Sequence, residues 1–245
     1  MIRLIKINII IQKWFFKIYI FWNKSMNYKV ARKNMVENQI RANKVTDTKI
    51  IDAFSNVERE KFVPEPYREI SYNDEDILLS RNRFMMKPMI LARLFQSLSL
   101  KGNENILHIG SNSGYASAIL SQLCYAVISI ENDKKLYEKS ISIFSEIGFD
   151  NVVPLHGSME MGVPKEAPFD VIFIEGSVEE NPNSLFDQLN NSGKLIVVLK
   201  PLNVSIGKAS LFFKLNNEIG NEILFDAQVS KLSIFKSKPK FNFWW

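Results

Sequence analysis

The sequence predicts an α/β fold: a doubly wound, mostly parallel sheet with helices before it and an antiparallel hairpin after it. Three observations carry that expectation. Residues Asn105 to Glu131 read as strand, tight turn, helix, strand. The apolar runs that follow alternate with helical stretches as far as Leu199, the pattern of parallel strands joined by crossovers. Two late runs, Ser210–Leu215 and Glu222–Asp226, flank a turn rich in Asn and Gly, which closes strands into a hairpin.

In chain order, Tyr28 to Arg41 carries Val36 and Ile40 four apart and predicts a helix. Asp47 is a cap for a second helix whose buried stripe is Ile50, Ile51, Phe54 and Val57. Pro64 and Pro66 stop it, and residues 67–83, polar and without period, read as loop. Pro88 opens a helix from Met89 to Leu98.

In the central unit, Ile106, Leu107 and Ile109 form a short apolar run ending at Gly110, the length of a buried strand. Gly110 to Gly114 reads as a turn, and Tyr115 to Leu123 repeats apolar residues at helical spacing. Ala126 to Ile130 is the next strand, with Glu131 at its end. A helix follows from Lys134 to Ile147, closed by Gly148. Further strands are read at Val152–Leu155, Asp170–Ile174 and Leu195–Leu199, with Leu185–Leu189 in a helix.

The central unit has chemistry as well as shape. A helix opening on a glycine turn points free backbone N–H groups outward, and glycine lets a ligand reach the backbone. A carboxylate at the end of the next strand can accept both hydroxyls of a ribose. Glu131 stands seventeen positions after Gly114, so a nucleoside-containing cofactor is expected at this edge. The spacing Gly-x-x-x-Gly, rather than Gly-x-Gly-x-x-Gly, argues against a nicotinamide or flavin dinucleotide. A plain tight turn with nothing bound is the bland alternative.

Composition sets limits. One cysteine, Cys124, leaves no intrachain disulfide and no Cys-based zinc site, and two histidines exclude a His-rich metal centre. No metal site is expected, and the cysteine usage fits a cytoplasmic setting. The net charge of +5 resides entirely in residues 1–25, which hold Arg3, Lys6, Lys13, Lys17 and Lys24 and no acid. The rest of the chain is neutral, so no nucleic-acid surface is expected. In that basic segment the lysines fall on one helix face against Ile, Phe and Trp, which suits a membrane surface. Translation from Met26, leaving the segment out of the native protein, is the favoured reading. Three parts are expected: the extension 1–25, a helical and substrate-strip region 26–100, and a Rossmann-like cofactor domain 101–245.

Five segments, in order and at matching spacing, resemble a known family. They are Met35-Val-Glu-Asn-Gln-Ile-Arg41, Glu60-Lys-Phe-Val-Pro64, Ile106-Leu-His-Ile-Gly-Ser-Asn-Ser-Gly-Tyr115, Ala167-Pro-Phe-Asp170 and Asp187-Gln-Leu-Asn-Asn-Ser-Gly-Lys-Leu195. Over about residues 30–200 the chain resembles protein-L-isoaspartate O-methyltransferases, class I enzymes that use S-adenosyl-L-methionine. The resemblance implies that this cofactor is held by His108, Gly110, Ser111, Asn112, Gly114, Glu131 and Ser158. It implies a protein or peptide substrate whose isoaspartyl carboxylate is methylated for repair.

The chain departs from the family pattern at defined places. His108 replaces an acidic residue, Asn112 a glycine, and Ser158 the carboxylate of a Gly-Asp-Gly. The family's Thr-Ile-Ser-x-Pro strip becomes Phe84-Met85-Met86-Lys87-Pro88, so Met86 stands where the family has the substrate-strip hydroxyl. Lys87 or Arg83 is then the cation expected to pair with the acceptor carboxylate. A methyltransferase with another acceptor, or a non-catalytic binding protein on the same fold, are the alternative readings.

Overall fold

The structure is a computed structural model that describes residues 26–235. The basic, apolar segment 1–25 and the tail from Ser237 lie outside the described residues.

The chain opens with helix α1 (Tyr28–Met35), capped by Asn27, whose side chain accepts from the Val30 N–H. The expected single helix to Arg41 does not keep one pitch. It widens to a π turn over Val36–Ile40, where the Arg41 N–H donates to Val36 O, and tightens to a 3-10 turn over Arg41–Asn43. Met35, at the end of the α-helix, and Val36 and Ile40 in the wide turn are all buried. Helix α2 (Thr48–Asn56) is capped by Asp47 as expected. A 3-10 turn over Glu65–Ile70 follows.

Residues 67–83 are not a plain loop. Strands β1 (Ile77–Ser80) and β2 (Arg83–Met85) pair antiparallel into a small ribbon with a register shift. Four and three residues are too few to show a period, and the acids that made the stretch look solvated serve the backbone. Asp76 accepts from the Lys87 N–H and the Ser230 N–H, and Asp74 from the Met89 N–H. Helix α3 (Pro88–Leu98) starts on Pro88 and ends at Ser99 in the left-handed region.

The main sheet is built from β3 (Asn105–Ile109), β4 (Ala126–Glu131), β5 (Val152–His156), β6 (Phe169–Val178), β7 (Leu189–Leu199), β8 (Gly207–Leu215) and β9 (Glu218–Ala227). Its order is β5-β4-β3-β6-β7-β8-β9; neighbours are parallel through β7, and the last two strands add antiparallel. Asn216 and Asn217, both at positive φ, make the hairpin turn. Helices α4 (Tyr115–Ser121) and α5 (Lys134–Ile147) are the crossovers from β3 to β4 and from β4 to β5. The expected helix at Leu185–Leu189 is a single turn, α6 (Asn183–Phe186), and Leu189 already belongs to β7.

Chain direction reverses about β3: the chain moves outward through β4 and β5, then returns to place β6 on the other side. The carboxyl ends of β3 and β6 are therefore a topological switch point, where open α/β sheets take ligands. Strand alternation sorts the core. Ile106, Phe173 and Val198 face the cluster filled by α1 to α5, while Leu107, Ile109 and Ile172 face one closed by Met159, Leu185, Leu232 and Ile234. Among the described residues no helix is long and apolar enough to cross a membrane.

Candidate cofactor and acceptor site

The turn after β3 is tied to β4 by its backbone. The Gly110 and Ser111 N–H groups both donate to Ile130 O (2.9 and 3.3 Å), and the Gly114 N–H closes on Ser111 O (2.9 Å). Gly114 has φ +97°, and a Cβ there would stand 2.4 Å from the Phe144 ring, so glycine lets α5 pack against the turn. Asn112 sits at φ +56°, a conformation Asn tolerates, so replacing the family's glycine does not open the turn. Its backbone N–H donates to Glu131 Oε2 (2.8 Å) and its side-chain Nδ2 to Phe84 O (3.0 Å).

Glu131 ends β4 and is 1% exposed. Its Oε1 accepts from the Asn132 and Asp133 N–H groups, both at 3.0 Å. Its Oε2 accepts from Asn112 and from Arg83 Nη2, the latter at 2.5 Å. The structure thus brings Arg83 to Glu131, rather than leaving it turned toward an acceptor. The Arg83 guanidinium also lies over Gly110: a Cβ there would be 3.3 Å from Nη2 and 3.1 Å from Leu232 Cδ2.

His108 is fully buried. Its ring stacks on Phe173 (4.9 Å between centroids), Nδ1 lies 2.7 Å from Ser117 Oγ, and Nε2 lies 3.2 Å from Glu175 Oε2. Strand alternation explains this, because His108 shares the face of Ile106. Ser111 is buried in the turn. Ser158 is exposed at the start of the 3-10 turn Met159–Met161, and the Gly157 N–H, donating to Glu131 O (3.1 Å), holds that segment beside the end of β4.

The strip from Arg83 to Pro88 is fastened through its backbone. The Met86 N–H donates to Glu175 Oε1 (3.1 Å), and Met86 O accepts from Arg59 Nη2 (2.9 Å). The Met86 side chain itself is buried. Lys87 is half-buried, and its ammonium has no partner among the described residues.

Sequence reasoning missed Arg59, which is fully buried with its Nε donating to Ser71 O (2.7 Å) and its guanidinium over the Tyr115 ring. It sits in the charged run Glu58-Arg59-Glu60-Lys61, which looks like a solvated face; no local signal marks it. Glu175 ends an apolar run, but nothing in the sequence records its hold on Met86. Leu232, on a segment with no period, gave no signal. Burial pushes the Tyr115 hydroxyl and the Cys124 thiol each up to about 12, so neither is an activated nucleophile. Among the described residues no cluster of three or more His, Cys, Asp or Glu could hold a metal ion.

Comparison with known proteins points one way. The family model described as protein-L-isoaspartate(D-aspartate) O-methyltransferase matches residues 30–222. A protein-L-isoaspartate O-methyltransferase 2 of Anaeromyxobacter sp. is 37% identical over 168 residues, 69% of each chain. The corresponding protein 1 of Syntrophobacter fumaroxidans is 34% identical over 172 residues, 70% of this chain and 80% of that one. Among solved structures, a protein-L-isoaspartate O-methyltransferase shares the fold with a TM-score of 0.75 at 24% identity, covering 83% of this chain and 66% of its own. A Plasmodium falciparum protein assigned the same activity, crystallised with S-adenosyl-L-homocysteine, gives 0.71 at 23% identity, covering 85% of this chain and 99% of its own. The chain belongs to the protein-L-isoaspartate(D-aspartate) O-methyltransferase family.

Proposed function

We propose that this chain is an S-adenosyl-L-methionine-dependent protein-L-isoaspartate O-methyltransferase acting on a damaged protein or peptide. The observation that carries the reading is Glu131 under the glycine turn at the switch point of the sheet, within a chain of this family. The donor set suits a nucleoside: a two-oxygen carboxylate at a strand end, and Gly110 without a side chain to block approach. His108 and Ser158 cannot supply the carboxylates that the family pattern places there, which leaves Glu131 as the anionic anchor.

Bound cofactor would supply an electrophilic methyl on a sulfonium. An acceptor carboxylate is already ionised near neutral pH, so the chain needs to orient it and exclude water rather than remove a proton. Phe84 and Met86 make the strip apolar, and Lys87 is the cation left to pair with the acceptor carboxylate, since Arg83 is engaged by Glu131. Residues 26–100 then supply the acceptor strip and 101–245 the cofactor edge. A cytoplasmic setting goes with this role and with the single buried thiol of Cys124.

The test is transfer of labelled methyl from S-adenosyl-L-methionine to an isoaspartyl peptide, beside its normal aspartyl twin. Base-labile label on the isoaspartyl peptide alone is expected. Cofactor binding with transfer to neither peptide would move the acceptor to another class.

A further inference from the structure

The ribose anchor is already in use by the chain itself. Glu131 has both oxygens engaged, Oε1 by two backbone N–H groups and Oε2 by Asn112 and the Arg83 guanidinium. Arg83 also covers Gly110, the one position of the turn at which a missing side chain would admit a ligand, and Leu232 closes the same place from the other side. Arg83, Met86, Glu175 and Leu232 also line a cavity of about 10 Å³, far less than a nucleoside needs. A nucleoside and the Arg83 side chain cannot occupy this edge together.

The Arg83 contact is also incomplete. Arginine binds a carboxylate most tightly through two parallel bonds, but here Nη2 makes one bond, while Nε is buried without a hydrogen-bond partner. Glu131 keeps three backbone donors when Arg83 leaves, so its charge stays partly compensated. Arg83 is therefore the member of the group that moves. It stands in the three-residue strand β2, next to an exposed turn at Arg81 and Asn82.

We propose that Arg83 is an internal occupant of the ribose anchor: its pair with Glu131 and the bound cofactor exclude one another, so Arg83 sets cofactor affinity. This rests on the reading that the edge takes S-adenosyl-L-methionine. A site that is open only part of the time binds with an affinity reduced by its open fraction. Replacing Arg83 with an uncharged side chain should raise that fraction, the opposite of what removing a ligand residue does.

The experiment is calorimetric titration of S-adenosyl-L-homocysteine into the full chain, its Arg83→Met variant and an Arg81→Met control. Arg81 is exposed in the same hairpin, so its variant removes the same charge without touching Glu131. The expected result is a Kd at least tenfold lower for Arg83→Met and unchanged for Arg81→Met. In parallel, the Arg83 Nε–H resonance of the unmutated chain, assigned by its absence from Arg83→Lys, should lose its protection when S-adenosyl-L-homocysteine saturates the protein. A Kd for Arg83→Met equal to or weaker than that of the parent overturns the proposal, as does a resonance still protected at saturation. If Arg83→Met fails to fold, the resonance of the parent decides. Folded samples in which neither parent nor variant binds overturn the cofactor reading, and the proposal with it; equal binding by both overturns the proposal alone.

Discussion

Glu131 and Arg83 are 48 positions apart in sequence and within one hydrogen bond in space. At this scale the burial of each is conditional on the other. Removing one partner of a buried pair leaves an uncompensated charge, which costs about 3–5 kcal/mol, whereas removing both is often close to neutral. Glu131→Ala would also strand the Asn112, Asn132 and Asp133 N–H groups. The expected outcome is a large loss of stability for Glu131→Ala and a smaller one for Arg83→Met. The double variant Arg83→Met with Glu131→Ala should be more stable than the sum of the two single losses predicts, by at least ~1 kcal/mol. Urea denaturation of the four proteins measures this directly, and additive losses would mean that the two side chains are not energetically paired. The carboxylate was legible in the sequence because strand-end position and turn spacing are local properties. Its partner was not, since the β1–β2 ribbon carries Arg83 to it only once the fold has formed.

Among the elements, caps read well and pitch reads badly. Asp47 and Gly148 stand where a helix begins and ends, because a cap depends on only a few neighbouring residues. The π turn at Val36–Ile40 depends on what Met35 and Ile40 pack against, and apolar spacing does not record that. The β1–β2 ribbon was hidden because Asp74 and Asp76 point their carboxylates at backbone N–H groups rather than at water.

Asp133 does two jobs: it caps α5 through the Lys135 and Leu136 N–H groups, and it accepts from Ser80 Oγ, pinning the ribbon to the helix. Burial acts to raise its carboxyl. The bonds from Ser80, Leu136 and Lys135 outweigh that and hold it below the ordinary value of 3.8. A carboxyl lowered by folding stabilises above its unfolded value, and that contribution disappears as pH falls through the lower folded value. Asp133→Ala should therefore cost ~1 kcal/mol near neutral pH, the usual worth of a cap. The urea midpoints of parent and variant should converge as pH drops below about 4. A gap that persists at low pH would assign the loss to packing rather than to the charge.

For the molecule as a whole, the parallel order about β3 was legible, because alternating elements leave few topologies for an open sheet. The covering of its carboxyl edge was not, because Arg83 and Leu232, far apart in the sequence, meet over Gly110 only in the fold. The packing across the expected division near residue 100 decides how the molecule unfolds. Ser113 Oγ donates to Phe62 O at 2.6 Å, Phe62 packs edge-on against Tyr115, and Phe95 packs edge-on against Phe173. Arg59 and Glu175, one from each side of the division, hold opposite ends of the Met86 residue. One apolar cluster contains Phe54, Phe62 and Phe95 together with Tyr115, Val127 and Val198. Neither part keeps a closed core without the other, so residues on both sides of the division form and melt together. The expected outcome is a single urea transition with the same midpoint by far-UV circular dichroism and by amide exchange in α2 and in β4. Earlier loss of protection in α2, with β4 still protected, would show the strip region opening on its own. The acceptor site would then be assembled by a folding step separate from the sheet, and the Met86 clamp would be the joint that fails first.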